Sequence, residues 1–306
     1  MDIAIAIHGG AGTMRQVDLT EDMAERLHEG LRKALRAGWV LLRARGSALD
    51  AVTAAVCALE DDPLFNGAHG AARTDVGTTE MDAAIMDGEH RRAGAVAGIC
   101  GPRSPILVAR AVMETTPHLL LIGEGAHLIA RTAGHPFESA KFFETPSSRA
   151  ALHRELERRA ANAPGHRSDA DCYGTVGAVA RDSANHFAAA TSTVGITAKL
   201  AGRLGNTPII AAGTFADDAT CAVSCTGTGE VFIRYTAAAE IAARMPYKNE
   251  TLEYAAAKGI AELARQGRRW RSHCRRLFGR PHPALQYIWY VSRHDWGRRD
   301  VARDNP

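Results

Sequence analysis

No run of uncharged apolar residues in this 306-residue sequence is long enough to span a bilayer, which argues against a membrane helix. The opening stretch MDIAIAIHGGAG has no cationic segment ahead of its apolar residues and reads as a short first strand, not an export signal. Cysteine is sparse: six residues at positions 57, 100, 172, 221, 225 and 274, with no CxxC pair, exclude a disulfide-dense scaffold and point to a reducing cytoplasm. Thirteen histidines include no HExxH or comparable spacing, so a zinc site has no support. Lysine and glutamate are both missing from Gly267 onward, where ten Arg and three Asp leave a net charge of +7. Residues 1–266 then hold 27 basic and 31 acidic side chains, a net of −4, so the overall +3 describes neither part. Three of the four tryptophans, Trp270, Trp289 and Trp296, also fall in that tail.

What is present is a chain 46% hydrophobic and long enough for one large domain or two modest ones. IAIAIHGGAG reads as a strand closed by a glycine turn. Thr20 and Glu21 open a segment with apolar residues at helical spacing, and Ser47 with Asp50 opens an Ala-rich helix. EMDAAIMDG and RAGAVAGI predict two strands about a turn, and residues 104–134 predict two helical segments around a short β-like run. Residues 144–170 are polar and charge-rich, and predict an exposed, mobile connection with at most a short helix. TVGAVARD, HFAAATSTVG, TPIIAAGTFADD and TCAVSCTGTGEVFIRY read as strands, and YTAAAEIAARM and TLEYAAAKGIAELARQ as helices. Strands grouped with strands and helices with helices predict an α+β protein of stacked antiparallel sheets with helices outside.

Thr175, in DCYGTVGAVA, carries the chemical question. A threonine hydroxyl attacks a carbonyl only if a base removes its proton, and an N-terminal threonine can use its own α-amine, whose free pKa is ~8. That requires a cut before Thr175. Gly174, with no Cβ, tolerates strain and leaves its carbonyl open to the Thr175 hydroxyl. Attack would turn the amide into an ester, and water would complete the cleavage. GTVG alone describes many ordinary strand starts, so the weight falls on the polar sets downstream: TST at 191–193, GRLGN at 202–206 and CTGTGE at 225–230.

Those sets, with GTVGAVA, HGGAG, DPLFNGAHGA, EMDAAIMDG and AGAVAGI in this order, resemble the plant-type asparaginase / isoaspartyl peptidase family of N-terminal nucleophile hydrolases over residues 3–266. The resemblance implies a four-layer αββα sandwich. It implies self-cleavage between Gly174 and Thr175 into a 1–174 α subunit and a β subunit starting at 175, and a dimer of the cleaved units. Thr175 would be the nucleophile, with Thr193 bonded near its amine. Thr226 and Gly227 would stabilise the oxyanion, and Gly229 would lie among the substrate-binding residues. Arg203 would grip the substrate α-carboxylate, for which a guanidinium offers a bidentate fork. Asn66 would brace the nucleophile. Backbone carbonyls of Leu59, Glu60, Asp62, Phe65, Gly67 and His69 would face a structural sodium, although a helix-ending loop explains that stretch equally well. No catalytic cofactor, nucleic acid or membrane partner is implied. The implied substrates are L-asparagine and β-aspartyl dipeptides; a glycosylasparaginase-like hydrolase and an inactive, uncut remnant are the alternatives.

The sequence departs from the family in four places, three of them local. Asn206 stands where the family carries an aspartate for the substrate α-ammonium, Val194 replaces a glycine, and FNGAHG transposes two residues of the usual FNAGxG. From Gly267, GRRWRSHCRRLFGRPHPALQYIWYVSRHD replaces the expected ending. Back-translated and read one base later, this stretch can encode AGGGGLIAVDSSGDPTLPFNTSGMYRGMI, which restores the family's GLIAVD and PFNTxGMYR. Mostly third bases are free in that reading, because the residues fix the first two bases of most codons. A frameshift near Gly267 therefore explains the charge jump, the tryptophans and the missing Lys and Glu together. The competing reading is a basic amphipathic tail for nucleic acid or an anionic surface. With the tail as it stands, the second sheet is expected to lack its last strands.

Overall fold

The computed structural model describes residues 3–10, 20–161, 174–278, 287–292 and 296–297. In chain order the elements are β1 (Ala4–His8), α1 (Glu21–Arg43), α2 (Ala48–Asp61), β2 (Met81–Asp87), β3 (Ala93–Ile99), α3 (Pro105–Thr115), β4 (Leu120–Ile122), α4 (Gly123–Thr132), α5 (Ala140–Phe143) and α6 (Pro146–Ala160). They continue with β5 (Val176–Arg181), β6 (Phe187–Thr193), β7 (Thr214–Ala216), β8 (Cys221–Thr226), α7 (Gly229–Tyr235), α8 (Ala237–Lys248), α9 (Leu252–Phe278), β9 (Tyr287–Ser292) and β10 (Trp296–Gly297). No described helix is long and apolar enough to cross a membrane.

The helices start where side chains satisfy their first amides. Thr20 accepts from the Met23 N–H at 3.2 Å, and Ser47 from the Asp50 N–H at 3.0 Å. Thr145 and Ser148 cap α6 reciprocally, so Pro146–Ala160 is helix over its whole length, where the sequence predicted at most a short one. The rest of that expected connection, 162–170, lies outside the described residues.

A six-stranded sheet has the order β1-β5-β6-β2-β3-β4, and a smaller sheet has the order β10-β9-β8-β7. The large sheet is mixed, not purely antiparallel as expected. β4 runs parallel to β3 because α3 returns the chain over the sheet between them, the crossover that a parallel pair requires. Two strand expectations also give way. Residues 207–213 of TPIIAAG form turns, with Ile209 and Ala212 amides bonded back to Asn206 and Ile209, and only Thr214–Ala216 is strand. EVFIRY belongs to α7, since β8 ends at Thr226 and Val231 and Phe232 are buried from the helix. The expected loss of the second sheet's last strands is not met either: Tyr287–Ser292 pairs antiparallel with β8.

Strand alternation shows how the layers are filled. In β5, Val176, Ala178 and Ala180 join the apolar cluster under α1–α3, while Val179 points the other way into a cluster with Met86, Phe187, Ala216 and Ala222. In β8, Cys221, Val223 and Cys225 face Ile241, Leu252 and Ala255 of α8 and α9, while Ala222 faces the large sheet. A smaller cluster thus separates the sheets, and a helical layer covers each outer face. Leu59 of α2 is fully buried in the largest cluster; truncating such a residue to Ala typically costs about 2–5 kcal/mol.

The face between the sheets also buries polar groups, among them His8, whose Nδ1 is 2.9 Å from the Thr175 carbonyl oxygen. It is 1% exposed, and burial lowers its pKa to about 3, against a smaller opposite effect of its bond to the Thr175 carbonyl. The folded pKa lies below the unfolded value of 6.5, so the native state binds fewer protons between the two. His8 therefore contributes stability that is complete above pH 6.5 and is lost as pH falls toward about 3, at up to ~1.4 kcal/mol per unit. Urea unfolding from about pH 7 to about pH 4 should show a steeper loss in the unaltered protein than in His8→Asn; parallel curves would mean that His8 is not held neutral.

Candidate active site

Strand parity places the expected catalytic threonines together. Val176 pairs with Ser192, so Thr175 and Thr193, one residue beyond on each strand, share the face turned toward the second sheet. The Thr175 hydroxyl donates to Thr193 Oγ1 at 3.1 Å. Thr193 Oγ1 also accepts from the Gly195 N–H at 3.0 Å, which fixes the hydroxyl against the loop after β6. Thr226, 1% exposed, ends β8 on the side facing the same gap. Gly227 follows at φ +149, a conformation that side chains disfavour, so the chain turns with its amide free of a Cβ. Four of the expected residues therefore come from the ends of three strands.

On the amino side of Thr175, a Cβ at Gly10 would overlap the backbone of Gly174, and Gly10 has φ +114. The HGG turn after β1 thus presses directly on the bond expected to be cut.

Asn66 is fully buried and braces the loop. Its Nδ2 donates to the Gly195 carbonyl at 2.7 Å and its Oδ1 accepts from the Ala72 N–H at 2.9 Å. The Gly195 that Asn66 holds is in turn bonded through its N–H to Thr193 Oγ1. Val194 directs its bulk into the main apolar cluster. Asn206, 3% exposed, donates weakly to the Cys225 carbonyl at 3.4 Å.

Arg203 lies where a carboxylate site is expected, and it already holds a carboxylate. Its Nε and Nη2 both bond Glu230 Oε1, at 3.0 and 2.7 Å. Gly229 makes that fit possible, because a Cβ there would lie 3.2 Å from Arg203 Nη2 and 2.9 Å from the Gly205 Cα. Nothing in CTGTGE assigns Glu230 a role, because its partner is 27 residues away and only folding joins them. Lys199 is a second group missed. Its buried ammonium donates to the Glu80 carbonyl at 2.9 Å and lies 4.0 Å from Asp82 Oδ2. Burial pushes the Asp82 carboxyl up to about 6, with Lys199 opposing the shift, and burial lowers the Lys199 pKa. Asp82 pairs with Thr193 across β2 and β6, so this ion pair stiffens the strand that carries Thr193.

The DPLFNGAHG loop folds back tightly. The Glu60 and Asp62 carbonyls accept from the His69 and Phe65 amides at 2.9 and 3.1 Å. The Glu60 side chain turns inward and caps α3, accepting from the Ile106 N–H at 3.0 Å and from the Ser104 hydroxyl; burial pushes its pKa up to about 7. Among the described residues no His, Cys, Asp or Glu group is arranged to hold a metal ion. Burial also pushes the Cys57 and Cys221 thiols up to about 12 and raises Cys225, so none of the three is a ready thiolate nucleophile.

Comparisons with known proteins bear on which family this chain belongs to. A profile of the family described as asparaginase matches residues 1–270. The isoaspartyl peptidase of Salmonella typhimurium (strain LT2) is 45% identical over 265 residues, covering 84% of this chain and 83% of the relative. That of Escherichia coli (strain K12) is 45% identical over 262 residues, covering 84% and 81%. The plant-type L-asparaginase of Pyrococcus abyssi is 45% identical over 242 residues, or 76% of each chain. The chain therefore belongs to the asparaginase family, the hydrolases that include plant-type asparaginases and isoaspartyl peptidases.

Proposed function

We propose that this chain is a self-cleaving threonine hydrolase that acts on β-aspartyl dipeptides and L-asparagine in the cytoplasm. The observation that carries the reading is the Thr175 hydroxyl bonded to Thr193 at 3.1 Å at the mouth of the gap between the sheets, directly after Gly174. The three apolar clusters, one between the sheets and one under each helical layer, support a four-layer αββα sandwich of the N-terminal nucleophile type.

In the first stage Thr175 Oγ1 attacks the Gly174 carbonyl carbon. The C–N bond breaks as the C–O bond forms, the Thr175 nitrogen takes the proton, and an ester remains. Water hydrolyses the ester, leaving a Gly174 carboxylate and a free Thr175 amine. In the second stage that amine takes the hydroxyl proton while Oγ1 attacks the side-chain carbonyl of the substrate. The Thr226 hydroxyl and the Gly227 N–H meet the developing oxyanion. Ammonia, or the amine of the second residue, leaves with the proton, and water then releases aspartate from Thr175. Arg203 holds the α-carboxylate, which competes with Glu230 for the guanidinium, and Asn206 faces the α-ammonium with a neutral amide.

Two αβ units would form the working dimer. The carbonyls of Leu59, Glu60, Asp62, Phe65, Gly67 and His69 would hold a structural sodium. Two of them already accept amide bonds, and each oxygen keeps a second lone pair. That ion takes no part in a step. The ending from Gly267 is read as the product of a frameshift. The family match stops at residue 270, although α9 runs on to Phe278.

Release of aspartate from L-asparagine and from a β-aspartyl dipeptide tests the assignment. Thr175→Ala should abolish it, and undiminished turnover would overturn the nucleophile. Arg203→Lys should raise KM for both substrates by roughly tenfold or more with a smaller change in kcat, as expected for loss of a bidentate charge-assisted contact. An effect confined to kcat would remove Arg203 from carboxylate binding. Asn206→Asp should lower KM several-fold by restoring a charged partner for the ammonium; an unchanged KM would place the α-ammonium elsewhere.

A further inference from the structure

Behind Thr175 a line of buried polar groups runs from one sheet into the other. His8 ends β1 opposite Gly177. Its Nδ1 is 2.9 Å from the Thr175 carbonyl oxygen and its Nε2 is 2.8 Å from Ser224 Oγ on β8. Ser224 Oγ is 2.8 Å from Thr191 Oγ1 on β6, which in turn accepts from Thr214 Oγ1 on β7 at 2.7 Å. All four side chains are at most 1% exposed.

For a neutral imidazole, elementary donor and acceptor rules leave one arrangement of protons along this line. A carbonyl oxygen only accepts, so His8 Nδ1 carries the hydrogen. A neutral imidazole has one N–H, so Nε2 must accept, and the Ser224 hydroxyl donates to it. Ser224 has then used its single hydrogen, so Thr191 donates to Ser224 and Thr214 to Thr191. The chain is directed from β7 to the carbonyl of Thr175. An imidazolium would reverse the line, with Ser224 accepting and Thr214 turned to the Thr207 carbonyl at a longer 3.5 Å, and burial of the ring disfavours its charge.

We propose that His8 is a positioning residue for the nucleophile: locked by the Ser224–Thr191–Thr214 hydroxyls as the neutral Nδ1–H tautomer, it clamps the Thr175 carbonyl and so aims the Thr175 side chain and amine. The need for a clamp follows from the ladder. Strand β5 begins at Val176, and Thr175 is the first residue after the expected cut, so after cleavage no upstream chain would anchor it. The bond from His8 holds it from the side. The same geometry accounts for the second glycine of GTVG. A Cβ at Gly177 would overlap both Ser224 Oγ and His8 Nε2, so only glycine leaves the chain room to form. The catalytic meaning of the clamp rests on Thr175 being the nucleophile; the tautomer does not.

NMR of the full-length protein labelled with ¹⁵N-histidine tests this directly, with the His8 signals identified by their loss in His8→Asn. The expected result is hydrogen on Nδ1, none on Nε2, and no titration between about pH 5 and about pH 9. An Nε2–H tautomer, or titration near the ordinary histidine value, would overturn the proposal. Should His8→Asn fail to fold, the displacement of one Nε2 signal in Ser224→Ala supplies the identification. Kinetics then separate positioning from mere packing. Asn places an amide N–H near the position of Nδ1, whereas Gln reaches the position of Nε2 and leaves the carbonyl unmet. His8→Gln should lose roughly tenfold or more in kcat with KM nearly unchanged, a factor worth ~1.4 kcal/mol of barrier, and His8→Asn should recover most of it. Equal losses in both variants, or a loss confined to KM, would contradict the clamp. The expected tautomer in a protein whose Thr175→Ala variant is as active as the parent would leave the tautomer standing and defeat the assignment of the nucleophile.

Discussion

The antiparallel register that sets Val176 opposite Ser192 decides which side chains meet between the two sheets. Because strand side chains alternate, a slip of one residue would turn Thr175 and Thr193 into the apolar cluster under α2 and bring valine and serine to the gap. Register is held from both faces. Val176, Ala178 and Ala180 are committed to the helical side, and Val179 to the space between sheets. The His8–Ser224–Thr191–Thr214 line crosses that space and ties four strands together at one end. Packing that stabilises the fold and bonding that orients the hydroxyl are thus the same constraint.

Around that fixed centre the charges are already paired. Arg203 holds Glu230, and Lys199 lies between the Glu80 carbonyl and Asp82. A substrate carboxylate would meet Arg203 as an exchange of one anion for another. Removing one partner of a buried pair typically costs more than forming the pair contributes, which gives Lys199 and Asp82 a structural importance that their distance from Thr175 conceals. Asn206 is the one position where a charge expected from the family is missing, and its amide is bonded, weakly, to the Cys225 carbonyl.

Much of this was legible in the sequence because local rules carried it. Short apolar runs bounded by glycine and polar turns mark β2, β3, β5 and β6, and Thr20 and Ser47 mark their helix starts. Legibility failed where distant contacts decide. TPIIAAG has the composition of a strand, but its amides close turns, and EVFIRY takes helix because Val231 and Phe232 pack on the cluster of α8 and α9. The parallel strand β4 is only three residues long, and its direction follows from the crossover through α3. Glu230 and Lys199 escaped notice because a lone acid and a lone lysine carry no signal until folding brings their partners to them. The histidine of HGG carries no signal of its own in the sequence, since its partners lie 167 and 216 positions away.

Self-activation of the Thr175 side chain is the claim on which the chemistry stands, and intact-mass spectrometry of the folded protein with N-terminal sequencing tests it most directly. The account predicts two polypeptides, the first ending at Gly174 and the second beginning at Thr175, with Thr175→Ala remaining whole. A folded, hydrolytically active protein found as one uncut chain, or cut at another bond, would contradict it.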